Sequence, residues 1–239
     1  MKRNILFGLV MLAAGSLFAA DSNPKADVTA AAATLGSAPN YSWTATFETP
    51  NGNFRRGPTE GKTEKDGYTT LTMSFNDNAT LVAIRGTNAA IKSPDSDWKT
   101  AEEAQQDNGN GGFNPAAFIA RMAQSYKTPA VEAGDLAAHS VSLVAGTNGI
   151  AGDLSEDAAK DMLTFRRPGA TGGPSMSNAK ASVTFWLADG KLSKYQVHVT
   201  GSVDFNSNTR EVDRITTTEI KDVGATKIDL PDDAKKKLQ

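Results

Sequence analysis

Apolar and polar residues alternate with period two over much of this chain, and the longest alternating stretches lie in its last quarter, from Asn178 to Gln239. Val183, Phe185 and Leu187 alternate, Asp189-Gly190 makes a turn, and Tyr195, Val197, Val199, Val203 and Phe205 repeat every second residue with Gly201 in step. Glu211 to Val223 reads as the return strand, Thr226 to Leu230 as the last strand, and Pro231 as the start of a charged terminal helix. Strands this long exceed the usual length of about five or six residues, and they favour strong curvature or barrel closure.

The N-terminal half repeats the theme after an alanine-rich segment, Asp27 to Leu35, that reads as a helix ending near Gly36 and covering one edge or mouth of the sheet. Tyr41, Trp43, Ala45 and Phe47 share one face of a strand. Thr59 to Glu64 is a polar strand, Lys65-Asp66-Gly67 a tight turn, and Tyr68 to Phe75 returns with Leu71, Met73 and Phe75 facing together. Asn76-Asp77-Asn78 then turns the chain into Ala79 to Arg85, so the order is a meander and not a βαβ unit.

The middle changes period. Thr100-Ala101-Glu102-Glu103 has the spacing of a capping box and opens a short helix. Beyond a glycine- and asparagine-rich loop, Pro115 to Tyr126 places Phe118, Ile119, Met122 and Tyr126 on one helical stripe, and Thr128-Pro129 starts another helix. Val141 to Ala145 and Ile150 to Leu154 form a hairpin, and Ser155 opens a helix in which Ala158, Met162 and Phe165 share a face. The fold class is therefore α+β: a strongly curved antiparallel sheet, a half-barrel, with helices covering its concave face.

Composition adds an address. Met1 to Ala20 has Lys2 and Arg3, an apolar run from Ile5 to Leu12 and small residues at its end, the three regions of a secretory signal peptide. That run is too short to span a bilayer, which needs about 20 apolar residues, and no later segment supplies them. The reading is a leader over residues 1–20, processed near Ala20, and a single domain over 21–239, periplasmic or secreted. With no cysteine, the chain has no disulfide framework, thiolate metal site, cysteine nucleophile or lipid-bearing cysteine. Loss of Lys2 and Arg3 leaves 23 basic against 27 acidic residues, a formal charge of −4, and nothing in that balance suggests a nucleic-acid partner.

The order of elements, together with Thr184-Phe185-Trp186-Leu187-Ala188-Asp189-Gly190-Lys191-Leu192-Ser193-Lys194-Tyr195 and the stretches Ile220 to Val223 and Ile228 to Pro231, resembles the periplasmic lipoprotein-carrier superfamily, LolA/LolB-like, with the related LppX/LprG-like lipid-binding proteins. The resemblance implies an incomplete barrel folded over helices, holding acyl chains in its apolar interior. It implies no cofactor, and no family functional residue has a matching motif in this chain. On that reading the lining is Trp43, Phe47, Leu71, Met73, Phe75, Phe185, Leu187, Val197 and Val199, and Phe118, Ile119 and Met122 form a lid. The helices could equally fill the concavity and leave a packed core, so a non-enzymatic interaction or structural module of the cell envelope stands as the alternative.

Enzymatic chemistry has little to rest on. His139 ends a helix and His198 points away from the core side of its strand; no Gly-x-Ser-x-Gly elbow is present. Asp107 to Gly112 lacks the alternate carboxylates of a calcium loop and has Phe118 where a bidentate glutamate belongs. Gly169 to Pro174 lacks the Gly-Lys-Ser/Thr ending of a phosphate cradle. Glu48, Asp204 and Asp213 are scattered carboxylates without diagnostic spacing. No catalytic residue, metal site or cofactor is assigned. Arg55-Arg56 and Arg166-Arg167 are basic pairs in loops that could meet anionic headgroups if they share a rim.

Overall fold

The computed structural model describes residues 23–50, 56–75, 78–106, 114–163, 175–205 and 208–239, with only the backbone of Arg56, Phe75 and Phe205. The first meander comprises β1 (Asn40–Glu48), β2 (Arg56–Glu64), β3 (Thr69–Phe75), β4 (Asn78–Arg85), β5 (Asn88–Lys92) and the short β6 (Lys99–Thr100). The second comprises β7 (Val144–Gly146), β8 (Gly149–Asp153), β9 (Ser175–Ala188), β10 (Lys191–Phe205) and β11 (Asn208–Lys221). The helices are α1 (Pro24–Ser37), α2 (Ala101–Gln106), α3 (Pro115–Gln124), α4 (Pro129–His139), α5 (Glu156–Leu163) and α6 (Asp232–Lys236).

Both meanders belong to one antiparallel sheet ordered β6-β5-β4-β3-β2-β1-β11-β10-β9-β8-β7. The seam between them is β1 against β11, with Trp43 opposite Ile220 and Phe47 opposite Thr216. The sheet curls without closing, so this is the expected α+β half-barrel, with α1 to α5 on one face and α6 on the other. The face bearing α1 to α5 is called inner below.

Local chemistry starts the helices. Asn23 and Asn114 accept hydrogen bonds from the N–H groups of Ala26 and Ala117, each at 3.1 Å, and a proline follows each cap. The expected capping box forms: Thr100 N–H donates to Glu103 Oε2 at 2.7 Å, and Glu103 N–H to Thr100 Oγ1 at 3.1 Å. Thr128 occupies the cap position of α4 but makes no side-chain cap bond; the hydroxyl oxygen of Tyr41 accepts from Ala130 N–H at 3.3 Å instead. Tertiary contact thus does what a local cap does elsewhere.

The inner face holds the main core. α1 lies on α4, β10 and β9 through Val28, Ala31, Ala32 and Leu35, so it covers the inner face, not an edge or mouth. α2 and α3 lie on β5, and α5 on β9 and β10. On α5 the fully buried residues are Ala159 and Leu163, with Ala158 and Met162 partly buried; Phe165 lies outside the described residues. Gly61, opposite Trp43, makes room for the indole, since a Cβ there would fall 2.1 Å from the ring.

Two expectations change. Asn88–Lys92 adds a strand after the positive-φ turn at Gly86. Thr226 to Leu230 is not a strand, because it crosses the outer face of the sheet where no neighbouring strand is available. Its N–H groups find side chains instead: Thr226 donates to Asn40 Oδ1 at 2.8 Å and Ile228 to Glu64 Oε1 at 3.3 Å. The crossing buries Leu230, Ala234 and Leu238 against Trp98, Ala83 and Ala90, a second small core. Lys237 Nζ then meets both Glu103 oxygens at 2.8 and 2.9 Å, tying the tail to the capping box.

Candidate functional site

The expected lining divides into a sealed part and a half-covered part. Trp43, Leu71, Met73, Phe185 and Val199 are at most 2% exposed, and Val197 is also buried. They form one cluster with the helices. Trp43 is stacked at 6.3 Å on Tyr126, which follows α3, and is tilted at 5.6 Å to Tyr41. Phe185 and Tyr195 meet at 6.3 Å. Of the expected lid, Ile119 is fully buried, whereas Phe118 and Met122 pack on the core with part of their surface exposed. Leu187 is also half-buried against that cluster, and Phe47 is half-buried on β1; the side chain of Phe75 lies outside the described residues.

The half-covered part runs along β11. In an antiparallel pair, directly opposed residues share a face, so β11 presents Arg210, Val212, Arg214, Thr216 and Thr218 to the inner side, opposite Val203, Gly201, Val199, Val197 and Tyr195 of β10. Of these only Thr218 is fully buried; Val212, Arg214 and Thr216 are half-buried and Arg210 is exposed. The central strand of an apolar face is therefore mostly polar there. Alternation of apolar residues misses it, because the polar residues occupy the inward positions; pairing β11 onto β10 in register reveals it.

Beside this stripe lies a polar cluster. Tyr195 Oη donates a hydrogen bond to Glu132 Oε2 in α4, and Arg214 Nη2 donates to the Met162 carbonyl in α5 at 2.8 Å. Burial raises the Glu132 carboxyl above its ordinary value, opposed by the Tyr195 hydrogen bond and the charges of Lys127 and Arg214. Tyr195 is raised well above its own, chiefly by burial and then by the Glu132 charge and hydrogen bond. Burial lowers Arg214, while the charge of Glu132 acts in the other direction. Arg214 and Glu132 thus bring opposite charges to the inner layer, one on the sheet and one on the helix above it.

The outer face carries a cleft of about 480 Å³ between strands β1–β4 and the C-terminal crossing, bordered by Trp98, Leu81, Leu230, Glu60 and Lys62. None of the expected lining side chains other than those of Trp43 and Leu71 belongs to residues bordering it. His198 Nε2 lies 2.9 Å from Asp213 Oδ1 on the outer side, and His139 Nδ1 lies 2.8 Å from the Asp135 carbonyl. Asp204 bonds Ser175 and Thr209. The carboxylates singled out in the sequence therefore do not converge. Among the described residues no group of His, Asp and Glu could hold a metal ion, and no helix is long and apolar enough to cross a membrane. Residues 1–20, expected to be a leader, and residues 107–112, 169–174, Arg55, Arg166 and Arg167 lie outside the described residues.

No protein-family model matches the chain, and no curated protein sequence does. Among solved structures, LprF from Mycobacterium bovis is similar over 88% of this chain and 97% of its own, at 9% identity and a TM-score of 0.48. A LolA superfamily protein from Nitrosomonas europaea is similar over 88% of this chain and 96% of its own, at 9% identity and a TM-score of 0.36.

Proposed function

We propose that the mature chain is an exported protein that binds a lipid, or the acyl chain of a lipidated polypeptide, on the inner face of its curled sheet, with Phe118, Ile119 and Met122 of α3 as the lid. The observation that carries this reading is the incomplete seal: Phe47, Leu187, Val212, Phe118, Met122 and Met162 are apolar side chains left only partly buried in the inner layer. A guest of about a dozen methylenes gains roughly 10 kcal/mol on burial before the cost of association. The leader over residues 1–20 supports a periplasmic or secreted location.

The test is native mass spectrometry of the mature protein purified from its own compartment, followed by organic extraction and lipid analysis. A co-purifying acyl species is the expected result; an apo mass, with tryptophan fluorescence unmoved by fatty acid or lipopeptide, overturns the reading. A second reading, a cell-envelope interaction module with a solid core, is favoured by the near-zero exposure of Trp43, Leu71, Met73 and Phe185. Co-purification of a stable protein partner without lipid is the result it expects.

A further inference from the structure

Phe47 and Met162 concern the tail of a guest; the inner face of β11 concerns its head. Two arginines and two threonines alternate there with Val212 on the side of the sheet that the helices cover. Such residues are costly in a solid core, and a plain hydrocarbon has no use for them. Arg214 is half-buried, and among the described residues its hydrogen bonding consists of the one bond to the Met162 carbonyl. A guanidinium carries five N–H donors in a planar fork, so most of them have no acceptor among the described residues and can take acceptors on a guest.

The geometry points to Arg214 as the anchor for an anionic head, phosphate or carboxylate, of an amphiphile whose tail lies against Phe47, Val212 and Met162. This rests on the lipid-binding reading and adds the chemistry of the head. The planar fork suits a phosphate or carboxylate, which it can hold through two parallel bonds. Arg210, four residues earlier and on the same face, extends the positive charge toward the strand end. Thr216, opposite both Val197 and Phe47, supplies a hydroxyl next to the tail.

Glu132 sets the pH dependence. Its carboxylate accepts the Tyr195 hydrogen bond from β10 and lies in the field of Arg214 on β11 and of Lys127 and Asp135 on its own side of the layer, and burial raises its pKa. While ionised it offsets the Arg214 charge; once protonated it no longer does. For a head whose own charge is constant over the range, affinity therefore rises as pH falls through the Glu132 titration; a phosphate monoester adds its own second ionisation at about pH 6, which acts in the other direction.

The experiment compares dodecyl phosphate with dodecyl maltoside, one tail with two heads, titrated below their micellar concentrations into the folded mature chain. Dodecyl phosphate is expected to bind about tenfold more tightly, the scale of one charged hydrogen-bonding contact. Arg214→Gln is expected to abolish the preference, read as the ratio of the two affinities, whereas a purely structural role in holding α5 lowers both affinities alike and leaves the ratio at about tenfold. Glu132→Gln is expected to leave the ratio following only the second ionisation of the phosphate head, at about pH 6. Equal binding of both probes by the unmodified chain overturns the anchor and leaves the lipid reading standing; binding of neither overturns both. If Arg214→Gln does not fold, Arg214→Lys retains the charge without the fork: the preference should shrink to about threefold, and an undiminished preference overturns the assignment.

Discussion

The inner face of this sheet contains two regions built on the same alternation with opposite results. Under α1, α3 and α4 the inward residues are Trp43, Leu71, Met73 and Phe185, which are sealed. Along β11 the inward residues are Arg210, Val212, Arg214 and Thr216, which the helices cover incompletely. The first region supplies stability through burial, about 1.5–3 kcal/mol for each fully buried large side chain. The second supplies little of that, and its half-exposed mixture of apolar surface and fixed charge is where the proposed guest would replace water. A sheet that is half-barrel in shape need not be uniformly a container.

The comparison breaks most directly at its sealed side. Trp43→Ala and Phe185→Ala should each destabilise the fold by about 3–5 kcal/mol, the usual range for a large aromatic removed from a core, read from urea unfolding midpoints at constant slope. A loss below about 1 kcal/mol at either position would mean that the inner face is looser than its packing indicates. Leu230→Ala, in the small outer core with Trp98, should cost about 2–3 kcal/mol and leave lipid binding unchanged, since the outer core is on the other side of the sheet. A parallel loss of binding would couple the two faces.

Smaller effects sharpen the half-covered side. Phe47→Ala should cost about 1 kcal/mol or less in stability, the usual scale of a substitution outside the sealed core, while weakening dodecyl-chain binding several-fold; the reverse pattern would assign Phe47 to the core. The smallest effect is on the pH profile. The folded pKa of Glu132 is raised by burial, so the folded chain binds that proton more tightly than the unfolded one. Stability from this group is present below the ordinary carboxylate pKa and is lost as pH rises through the raised value. Glu132→Gln, which can still accept from Tyr195, should therefore gain on the unmodified protein as pH rises from 4 to 8, with the gain levelling off above the titration. A difference that is constant with pH would show that Glu132 is not raised.

Much of the fold was legible because its signals are local. Alternation placed β1, β3, β9 and β10, and the Thr100–Glu103 spacing predicted a capping box that forms atom for atom. Prolines marked the starts of α3 and α4. Less legible was whatever depends on residues far apart in the chain. The tail at Thr226 to Leu230 has the apolar spacing of a strand, but it crosses the outer face and bonds Asn40 and Glu64. The cap of α4 comes from Tyr41, 89 residues away from Ala130. The polar stripe on β11 gave no sequence signal of its own, because inward and outward are defined only once a partner strand fixes the register.

By itself, then, the sequence determined the elements, the antiparallel meanders and which apolar residues of β1, β3, β9 and β10 share a face, because period-two alternation, turn residues and caps act over a few positions. Tertiary structure alone decided that β1 pairs with β11 to make one sheet, that the helices seal Trp43 and Phe185 yet leave Phe47 and Val212 half-covered, and that Glu132 of α4 is brought to Tyr195 and into the field of Arg214 on the sheet. The physical reason is that burial and charge proximity are properties of packed surfaces, fixed by contacts between distant segments and not by the spacing within any one of them.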